Sequence, residues 1–403
     1  MDARPVVDFD HHSPVFAADP ERFLTAARET CPVGWSTHHG GFWALTGYED
    51  VNRVLNDAAT FSSRHDLDDG SPFQGVTIPS PPMRFVPVEL DPPEFHAYRR
   101  LLNPVFAPAA VERLRPRMVE VTDWCLDRAV ARGALDLVYD LASPVPAMIT
   151  LELLGLPVDE WPRYATTFHD MAGHPPGTPE LLDAFAAAAD IKADLRALVA
   201  ARREDPSRRR DGAIDDLVDA RIDGLPIPDD RLVDIVNLVL AGGIDTTTGA
   251  AAGALVFLAE HPDHRRRLIE EPALIERACE EFVRWVTPTP VLARTTTCPV
   301  TVGGQAIGAH ERVLTSLYAA NRDPAAFERP DEVVLDRAPN RHASFGFGIH
   351  RCVGANLARA ELQAMLSRVL ARIPDYRVDL ARARRYATAG VQNGWISVPA
   401  TVS

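Results

Sequence analysis

The sequence predicts a mainly α-helical fold with a minor β part. Apolar residues recur at helical spacing over most of residues 94–286 and again over 353–371, whereas short alternating runs separated by glycines mark β-hairpins. The composition, 46% hydrophobic and 24% charged residues, is ordinary for a globular protein. We expect one large domain over residues 1–403, with a small β-rich region formed by about 33–46, 290–320 and 385–400, because no change in composition marks a linker.

The individual elements follow from local patterns. Residues 35–45 surround His38-His39-Gly40-Gly41 and predict a hairpin, and Gly303-Gly304 predicts a second hairpin over 300–307. Thr46-Gly47-Tyr48-Glu49 matches the capping box that begins a helix. A last strand pair is expected around residues 391–394. The periodicity predicts helices over about 94–103, 109–131, 147–155, 180–203, 229–260, 263–270, 272–286 and 353–371.

Composition and charge exclude several classes of protein. The net charge of −14 argues against nucleic-acid binding. Five cysteines without a C-x-x-C pair argue against a disulfide framework or a structural zinc site. The N-terminal 20 residues hold no apolar run, so we expect neither a signal peptide nor an anchor, and a cytoplasmic protein. The paired histidines 11–12 and 38–39 lie in loops, where solvated side chains are more common than metal ligands.

Residues 235–259 contain no Lys, Arg or Glu and are long enough to cross a bilayer. The alternative is a helix buried on all sides in a large core. We favour the core helix, because Asp245 and the adjacent threonines lie in mid-span, where a charge is costly in lipid. The long Pro-, Gly- and Ser-rich stretch of residues 66–93 is expected to be an irregular loop that covers a site.

The segment from Phe345 to Gly354, FGFGIHRCVG, carries the most information. Its glycines do not complete a dinucleotide fingerprint. Cys352 could be a nucleophile at a helix N-terminus, a buried free thiol, or an axial thiolate for haem iron. The third interpretation suits the surrounding residues. Gly346 and Gly348 allow the backbone to curl beside the sulfur, and Phe345 would shield it from water.

This segment resembles the haem-binding loop of the cytochrome P-450 superfamily, F-G-x-G-x-H-x-C-x-G, at every specified position, and the resemblance extends from about residue 20 to the C-terminus. It implies a P-450 fold, in which haem b lies between a long distal helix and the loop of Cys352. Ala241-Gly242-Gly243-Ile244-Asp245-Thr246 resembles the distal-helix signature. Here Thr246 can donate its hydroxyl to the carbonyl of Gly242, opening a groove for dioxygen, and Asp245 can relay protons.

The resemblance also implies structural and cofactor-binding residues. Glu281 and Arg284 form the E-x-x-R pair that, with Arg337, would lock the fold. Haem propionates would be bound by Arg294, His350 and Arg99. Many relatives carry a histidine directly after D-P-P-E, where this chain has Phe95, with His96 one residue later. When the segment is aligned with the family motif without a gap, Arg99 rather than Arg100 takes the position of the propionate-binding arginine. Whether His96 also contacts a propionate stays open.

The implied function is a haem-thiolate monooxygenase, with Asp245 and Thr246 as catalytic residues, that inserts one atom of O2 into an apolar terpenoid, steroid or macrolide-like molecule. The alternative is a haem-binding sensor or carrier without turnover.

Electrons would come from an acidic iron–sulfur ferredoxin with its reductase, and the protein would be a monomer. The candidate docking residues are Arg99, Arg100, Arg113, Arg115, Arg117, Arg341 and Arg351. The candidate pocket residues are Phe73, Met83, Phe85, Val86, Leu240, Ala241, Ile244, Val291, Leu292, Val391 and Gln392.

Overall fold

The computed structural model describes residues 4–68 and 70–402, and most of them are helical. Its α-helices are α1 Pro14–Ala18, α2 Pro20–Thr30, α3 Tyr48–Asn56, α4 Glu94–Leu102, α5 Pro108–Arg132, α6 Pro144–Leu154, α7 Trp161–Gly173, α8 Pro179–Glu204, α9 Ala213–Asp219, α10 Asp229–Glu260, α11 Pro262–Glu270, α12 Ile275–Val286, α13 Leu317–Ala320 and α14 Ala355–Arg372. The mainly α class is confirmed, and the long predicted helices are present with shifted ends. Helices α7, α9 and α13 were not predicted from the sequence.

Helix α10 is the central element of the helical part. It packs against α6, α7, α8, α12 and α14, so its apolar residues are covered on all sides. Within the described residues it is the one helix long and apolar enough to cross a membrane, and 72% of its most apolar window is buried. This burial is what the core-helix interpretation predicts.

The strands form one larger sheet and several small ones. They are β1 Val33–Ser36, β2 Phe42–Leu45, β3 Phe61–Ser62, β4 Ala134–Asp136, β5 Arg221–Ile222, β6 Leu225–Pro226, β7 Val291–Thr296, β8 Val300–Val302, β9 Gln305–Ile307, β10 Arg312–Ser316, β11 Arg377–Val378, β12 Arg384–Arg385, β13 Trp395–Ser397 and β14 Pro399–Thr401. The five-stranded sheet has the order β1-β2-β10-β7-β3, in which β2 and β10 are parallel and the other pairs antiparallel.

Both predicted hairpins are present, as β1–β2 and β8–β9. Segments 33–46 and 290–320 share the five-stranded sheet, but segment 385–400 does not join it. Its strands pair instead as β12–β13 and as β11–β14–β4. Residues 391–394 form the connection between β12 and β13 rather than strands. Periodicity within a segment cannot reveal which distant strand it pairs with.

The capping box predicted at Thr46 is wrong. Helix α3 begins after Gly47, and the backbone N–H of Tyr48 donates to the carboxylate of Asp323 over 2.8 Å. The Thr46 hydroxyl donates instead to the carbonyl of Pro32. The cap therefore comes from a residue far along the chain, which no local pattern can indicate.

The expectation of solvated loop histidines holds for only one of the two pairs. His11 and His12 are buried, whereas His38 and His39 are not. The buried pair lies under the long loop of residues 66–93, because both rings contact the carbonyl of Ile78.

A buried ion cluster joins α12 to the segment before Cys352. Arg284 and Glu281 are fully buried and form two hydrogen bonds of 2.8 Å, and Arg337 donates to the same carboxylate. Burial alone would raise the pKa of Glu281, but Arg284 and the other donors outweigh it and lower that pKa. Arg284 also donates to three backbone carbonyls, so the cluster fixes the connecting loops.

Candidate active site

The backbone before α14 holds Cys352 in a defined position. The N–H of Cys352 donates to the carbonyl of Phe345 over 2.8 Å, which closes the intervening residues into a loop. Gly346 and Gly348 both have φ of +66°, a conformation that side-chain-bearing residues rarely adopt. A Cβ at Gly348 would also lie 2.5 Å from the carbonyl oxygen of Leu55. The glycines thus allow a turn that other residues could not form at this place.

This loop is tied to the buried ion cluster through Asn321. Arg284 donates to the backbone carbonyl of Asn321 over 2.8 Å, and the Asn321 side chain accepts from the N–H of Ala343 over 2.6 Å. The same amide donates to the Ser344 hydroxyl over 2.8 Å. The E-x-x-R pair therefore supports the residues immediately before the cysteine loop.

Cys352 borders an internal cavity of about 300 Å³ that reaches α10 on the opposite side. Its thiol is open to this cavity and enclosed by protein elsewhere. Burial raises the pKa of Cys352, while the N–H of Gly354 and the charge of Arg99 act in the opposite direction. A metal bound to the sulfur would deprotonate it despite this burial.

The opposite wall is one face of α10. Val239, Gly242, Gly243, Thr246 and Ala250 line it, at the spacing of successive helical turns. The Thr246 hydroxyl donates to the carbonyl of Gly242 over 2.8 Å, as the sequence analysis predicts.

Three predicted residues of α10 do not line the cavity wall. Leu240 and Ile244 are buried in the core, and Ala241 packs against that core. Successive side chains of an α-helix differ in direction by about 100° around the helix axis. Residues one or two positions away from a lining residue therefore point away from the cavity. Gly242 takes the place on the wall that was predicted for Ala241.

Asp245 faces away from the cavity. Its carboxylate accepts hydrogen bonds from the Tyr386 hydroxyl over 2.7 Å and contacts His169 Nδ1 over 2.9 Å. Burial lowers the pKa of His169, but the charge of Asp245 and its hydrogen bond outweigh this and raise it. Burial and Asp245 together raise the pKa of Tyr386 well above its ordinary value. Thr246 and Asp245 are thus adjacent in sequence but lie in different surroundings.

The register of α4 places Arg99 on the cavity wall. Phe95 also lines the cavity and packs against the His350 ring at a centroid distance of 4.2 Å, whereas His96 and Arg100 are exposed. Arg99 donates to the carbonyl of Arg351 over 2.7 Å, which brings α4 against the cysteine loop. The gap-free alignment and the helix geometry agree on Arg99.

Two further basic groups on the wall have no carboxylate partner among the described residues. Arg294 is buried and its charged side chain donates only to the carbonyl of Ala293 among the described residues. Complete burial lowers its pKa to about 10. Both ring nitrogens of His350 are buried without a hydrogen-bond partner among residues 4–68 and 70–402, and burial lowers its pKa to about 3. Unpaired buried polar groups are costly, so this wall fits a ligand that carries carboxylates.

The long loop contributes Pro87 and Val88 to the cavity wall. It is held by the buried carboxylate of Glu89, which accepts from the N–H of Val76 over 3.1 Å and of Phe85 over 2.8 Å. Of the predicted pocket residues, Leu292 lines the cavity. The remaining members lie outside its wall: Phe73, Met83, Phe85, Val86, Val291, Val391 and Gln392.

Glu361 was not among the site residues predicted from the sequence. This residue lies on α14, lines the cavity, and is completely buried without a hydrogen-bond partner for either oxygen within the described chain. Burial raises its pKa to about 8, and the Thr247 side chain offsets this only in part. A signal existed in the sequence. Leu357, Glu361 and Met365 recur every four residues, so this glutamate stands in an apolar stripe.

A helical fold that encloses a cavity between a cysteine loop and a glycine-containing helix, with buried basic side chains on the wall that have no carboxylate partner, defines a haem-thiolate protein. Residues 32–379 match the family model for cytochrome P450. The chain therefore belongs to the cytochrome P450 family.

Relatives and solved structures agree with this assignment. Erythromycin C-12 hydroxylase of Saccharopolyspora erythraea is 36% identical over 363 residues, covering 89% of this chain and 88% of that protein. Pentalenic acid synthase of Streptomyces avermitilis is 32% identical over 374 residues, with the same coverage. The structure of Mycobacterium marinum cytochrome P450 CYP268A2 in complex with pseudoionone has a TM-score of 0.89 at 26% identity and covers 100% of both chains. The protein is a P450 monooxygenase that uses haem, O2, an apolar substrate and redox partners.

The contact between His169 and Asp245 predicts a pH-dependent stability. Because the pKa of His169 is raised in the folded state, its contribution is complete below the ordinary value of 6.5 and is lost as the pH rises through the folded-state pKa. We expect His169→Gln to lower the melting temperature most below pH 6.5. Thermal unfolding of both proteins from about pH 5.5 to about pH 9 measures this difference. If His169→Gln lowered the melting temperature by the same amount at every pH, a charged His169 would be contradicted.

Proposed function

We propose that this P450 binds haem b and inserts one oxygen atom into a neutral, apolar small molecule, with electrons supplied by an iron–sulfur ferredoxin and its reductase. The observation that carries the proposal is the position of Cys352 across one cavity from Thr246, beside His350, whose ring nitrogens have no partner, and Arg294, which has no carboxylate partner among the described residues. The chain has no C-x-x-C-H motif for covalent attachment, which favours haem b over haem c. Bound haem would supply the activation of dioxygen.

The residues that would hold the cofactor all line the one cavity. Cys352 is the proposed axial ligand, with Phe345 and Gly346 beside it on the wall. Arg99, Arg294 and His350 would bind the two propionates, since each lines the cavity and none has a carboxylate partner among the described residues. Glu281, Arg284 and Arg337 have a structural role in this proposal.

Proton delivery would use the polar groups around α10. The Thr246 hydroxyl donates to Gly242, so its oxygen can accept a hydrogen bond from a water in the cavity. Asp245 would exchange protons with His169 and Tyr386 on the far side of the helix. Glu361, whose pKa of about 8 keeps it mostly protonated at neutral pH, would be a second proton donor at the cavity itself.

The substrate is proposed from the chemistry of the wall. Once Arg99, Arg294 and His350 are assigned to the propionates, the lining holds no further cation among the described residues. The remaining lining is mostly apolar, with members such as Pro87, Val88, Val239, Pro288 and Leu292. A macrolide, terpenoid or steroid skeleton fits this surface better than a carboxylate would. The names of the two relatives refer to different molecules, erythromycin and pentalenic acid. This difference agrees with a family in which the residues that line the cavity vary between members.

The proposed redox partner would dock beside the cysteine loop. Arg115 pairs with Glu112, and Arg117 pairs with Glu120 and Glu152, so these two predicted docking residues are already neutralised. Four of the seven candidate docking residues are exposed and form no salt bridge within residues 4–68 and 70–402, and they define the basic face: Arg100, Arg113, Arg341 and Arg351. A basic face on a protein of net charge −14 would orient an acidic ferredoxin. We further propose that the protein is a cytoplasmic monomer, since the one helix within residues 4–68 and 70–402 that is apolar enough to cross a membrane is mostly buried.

The thiolate assignment predicts a spectroscopic result. Cys352→Ser should lose the red-shifted ferrous–CO band and the product-forming activity, because an alcohol does not replace an anionic sulfur ligand. Cys298→Ser is the matched control, since Cys298 is also an exposed free cysteine. A pyridine haemochromogen assay identifies the haem type. An unchanged ferrous–CO spectrum in Cys352→Ser would exclude the proposed function.

The role of Thr246 is tested by coupling efficiency. Thr246→Ala should reduce the product formed per electron pair roughly tenfold or more, because positioned acid–base groups contribute about 10²–10⁴-fold to such steps. Thr246→Ser retains the hydroxyl and should stay within about twofold of the wild type. Equal coupling in all three proteins would show that this hydroxyl takes no part in proton delivery.

The docking proposal is tested by charge reversal on the basic face. We expect Arg113→Glu with Arg341→Glu to raise the KM for ferredoxin roughly tenfold at low salt, with a smaller effect at high salt because the interaction is electrostatic. Arg208→Glu, in the turn after α8, is the control on another exposed arginine. Spectral binding of substrate should not change. If the double variant turned over with ferredoxin at the same rate as the wild-type P450, the docking surface would have to lie elsewhere.

A further inference from the structure

A cluster of histidines lies outside the active-site cavity, where the N-terminal segment meets the β1–β2 hairpin. Asp10 and His11 precede α1, and His39 lies in the hairpin turn. One potential ligand atom from each of these three residues lies within 4.8 Å of the other two. Nothing in the proposed monooxygenase chemistry requires these residues.

The hydrogen bonding of His11 defines which nitrogen is available. Its Nε2 lies 2.7 Å from the carbonyl oxygen of Ile78. A carbonyl oxygen only accepts, so Nε2 carries the proton, and the Nδ1 of the neutral ring carries a lone pair. This Nδ1 is completely buried and has no hydrogen-bond partner in the described part of the chain. A histidine that donates one N–H to a backbone carbonyl and leaves its other nitrogen free is the usual arrangement of a metal ligand.

The neighbouring His12 provides an internal comparison. Its Nε2 also donates to the Ile78 carbonyl, over 2.8 Å, but its Nδ1 lies 2.9 Å from the Thr388 hydroxyl. Two adjacent buried rings therefore share one carbonyl partner, and the fold satisfies the second nitrogen of only one of them. The ring left with a free nitrogen is His11, and His11 is also the member of this pair that clusters with Asp10 and His39.

The other two members of the cluster are already close together and partly open to solvent. His39 Nε2 lies 2.7 Å from an Asp10 oxygen, and their side chains are 21% and 27% exposed. Ligand distances of about 2 Å in tetrahedral geometry place ligand atoms about 3.3 Å apart, which small side-chain movements can reach here. The open side leaves room for a water as a fourth ligand.

We propose that Asp10, His11 and His39 bind one divalent transition-metal ion, for which zinc is the best match. Two imidazoles and one carboxylate are a donor set that zinc accepts. The ion would fasten the N-terminal segment to the hairpin and, through His11 and Ile78, to the loop of residues 66–93. Its role would be structural, distinct from the haem site.

The test uses the haem-loaded protein after removal of adventitious metal with a chelator. Equilibrium dialysis against micromolar zinc chloride, with zinc and iron counted by mass spectrometry, should give one zinc per haem iron. His39→Asn and Asp10→Asn should each weaken zinc binding at least tenfold. Asparagine suits position 39 because it tolerates the positive φ of 51° there. His310→Asn is the matched control, since His310 is also exposed and has a positive φ of 63°.

A second measurement tests the proposed fastening role. Zinc should raise the melting temperature of the wild type and of His310→Asn, but not of His39→Asn, because binding to the folded state alone is stabilising. The ferrous–CO spectrum should be the same with and without zinc. Absence of bound zinc, or equal binding in both ligand variants and the control, would overturn the site. Binding without any rise in melting temperature would overturn its structural role.

Discussion

The position of the Cys352 sulfur is the constraint on which the rest of this structure depends. A short backbone loop fixes it through the hydrogen bond from Cys352 to Phe345 and through two glycines in a conformation other residues avoid. That loop would be mobile if it stood alone. It is connected through Asn321 to the buried Arg284–Glu281 pair, so an ion cluster in the core determines where the sulfur lies. Buried ion pairs add little net stability, and here the pair is best understood as a device that specifies geometry.

Helix α10 separates two environments with different electrostatic requirements. One face is nearly apolar and presents only the Thr246 and Thr247 hydroxyls to the cavity. The preceding residue, Asp245, lies on another face with His169 and Tyr386, where a charge can be paired. A carboxylate turned into the cavity would meet the same desolvation that keeps Glu361 largely protonated. The helix can therefore hold a carboxyl group beside the site without presenting it to an apolar substrate.

Much of the helical architecture could be predicted, because burial imposes a period of about 3.6 residues on the sequence. The contact between Thr246 and Gly242 was also predictable, since it joins residues one helical turn apart. Predictions of which side chains of a helix face the cavity were less successful. Leu240 and Ile244 were assigned to the pocket although they are displaced by one position from its wall, and Glu361 was not considered.

Local chemistry in the sequence determined the cysteine loop, the weakened distal helix and the mainly α class, because these depend on residues close together in the chain. Only the tertiary structure decided that Asp323 caps α3, that Tyr386 and His169 surround Asp245, and that His11 is buried beside His39. Each of these contacts joins segments separated by tens to hundreds of residues. Such contacts are selected by the packing of the whole core, so no single segment carries a pattern that reveals them.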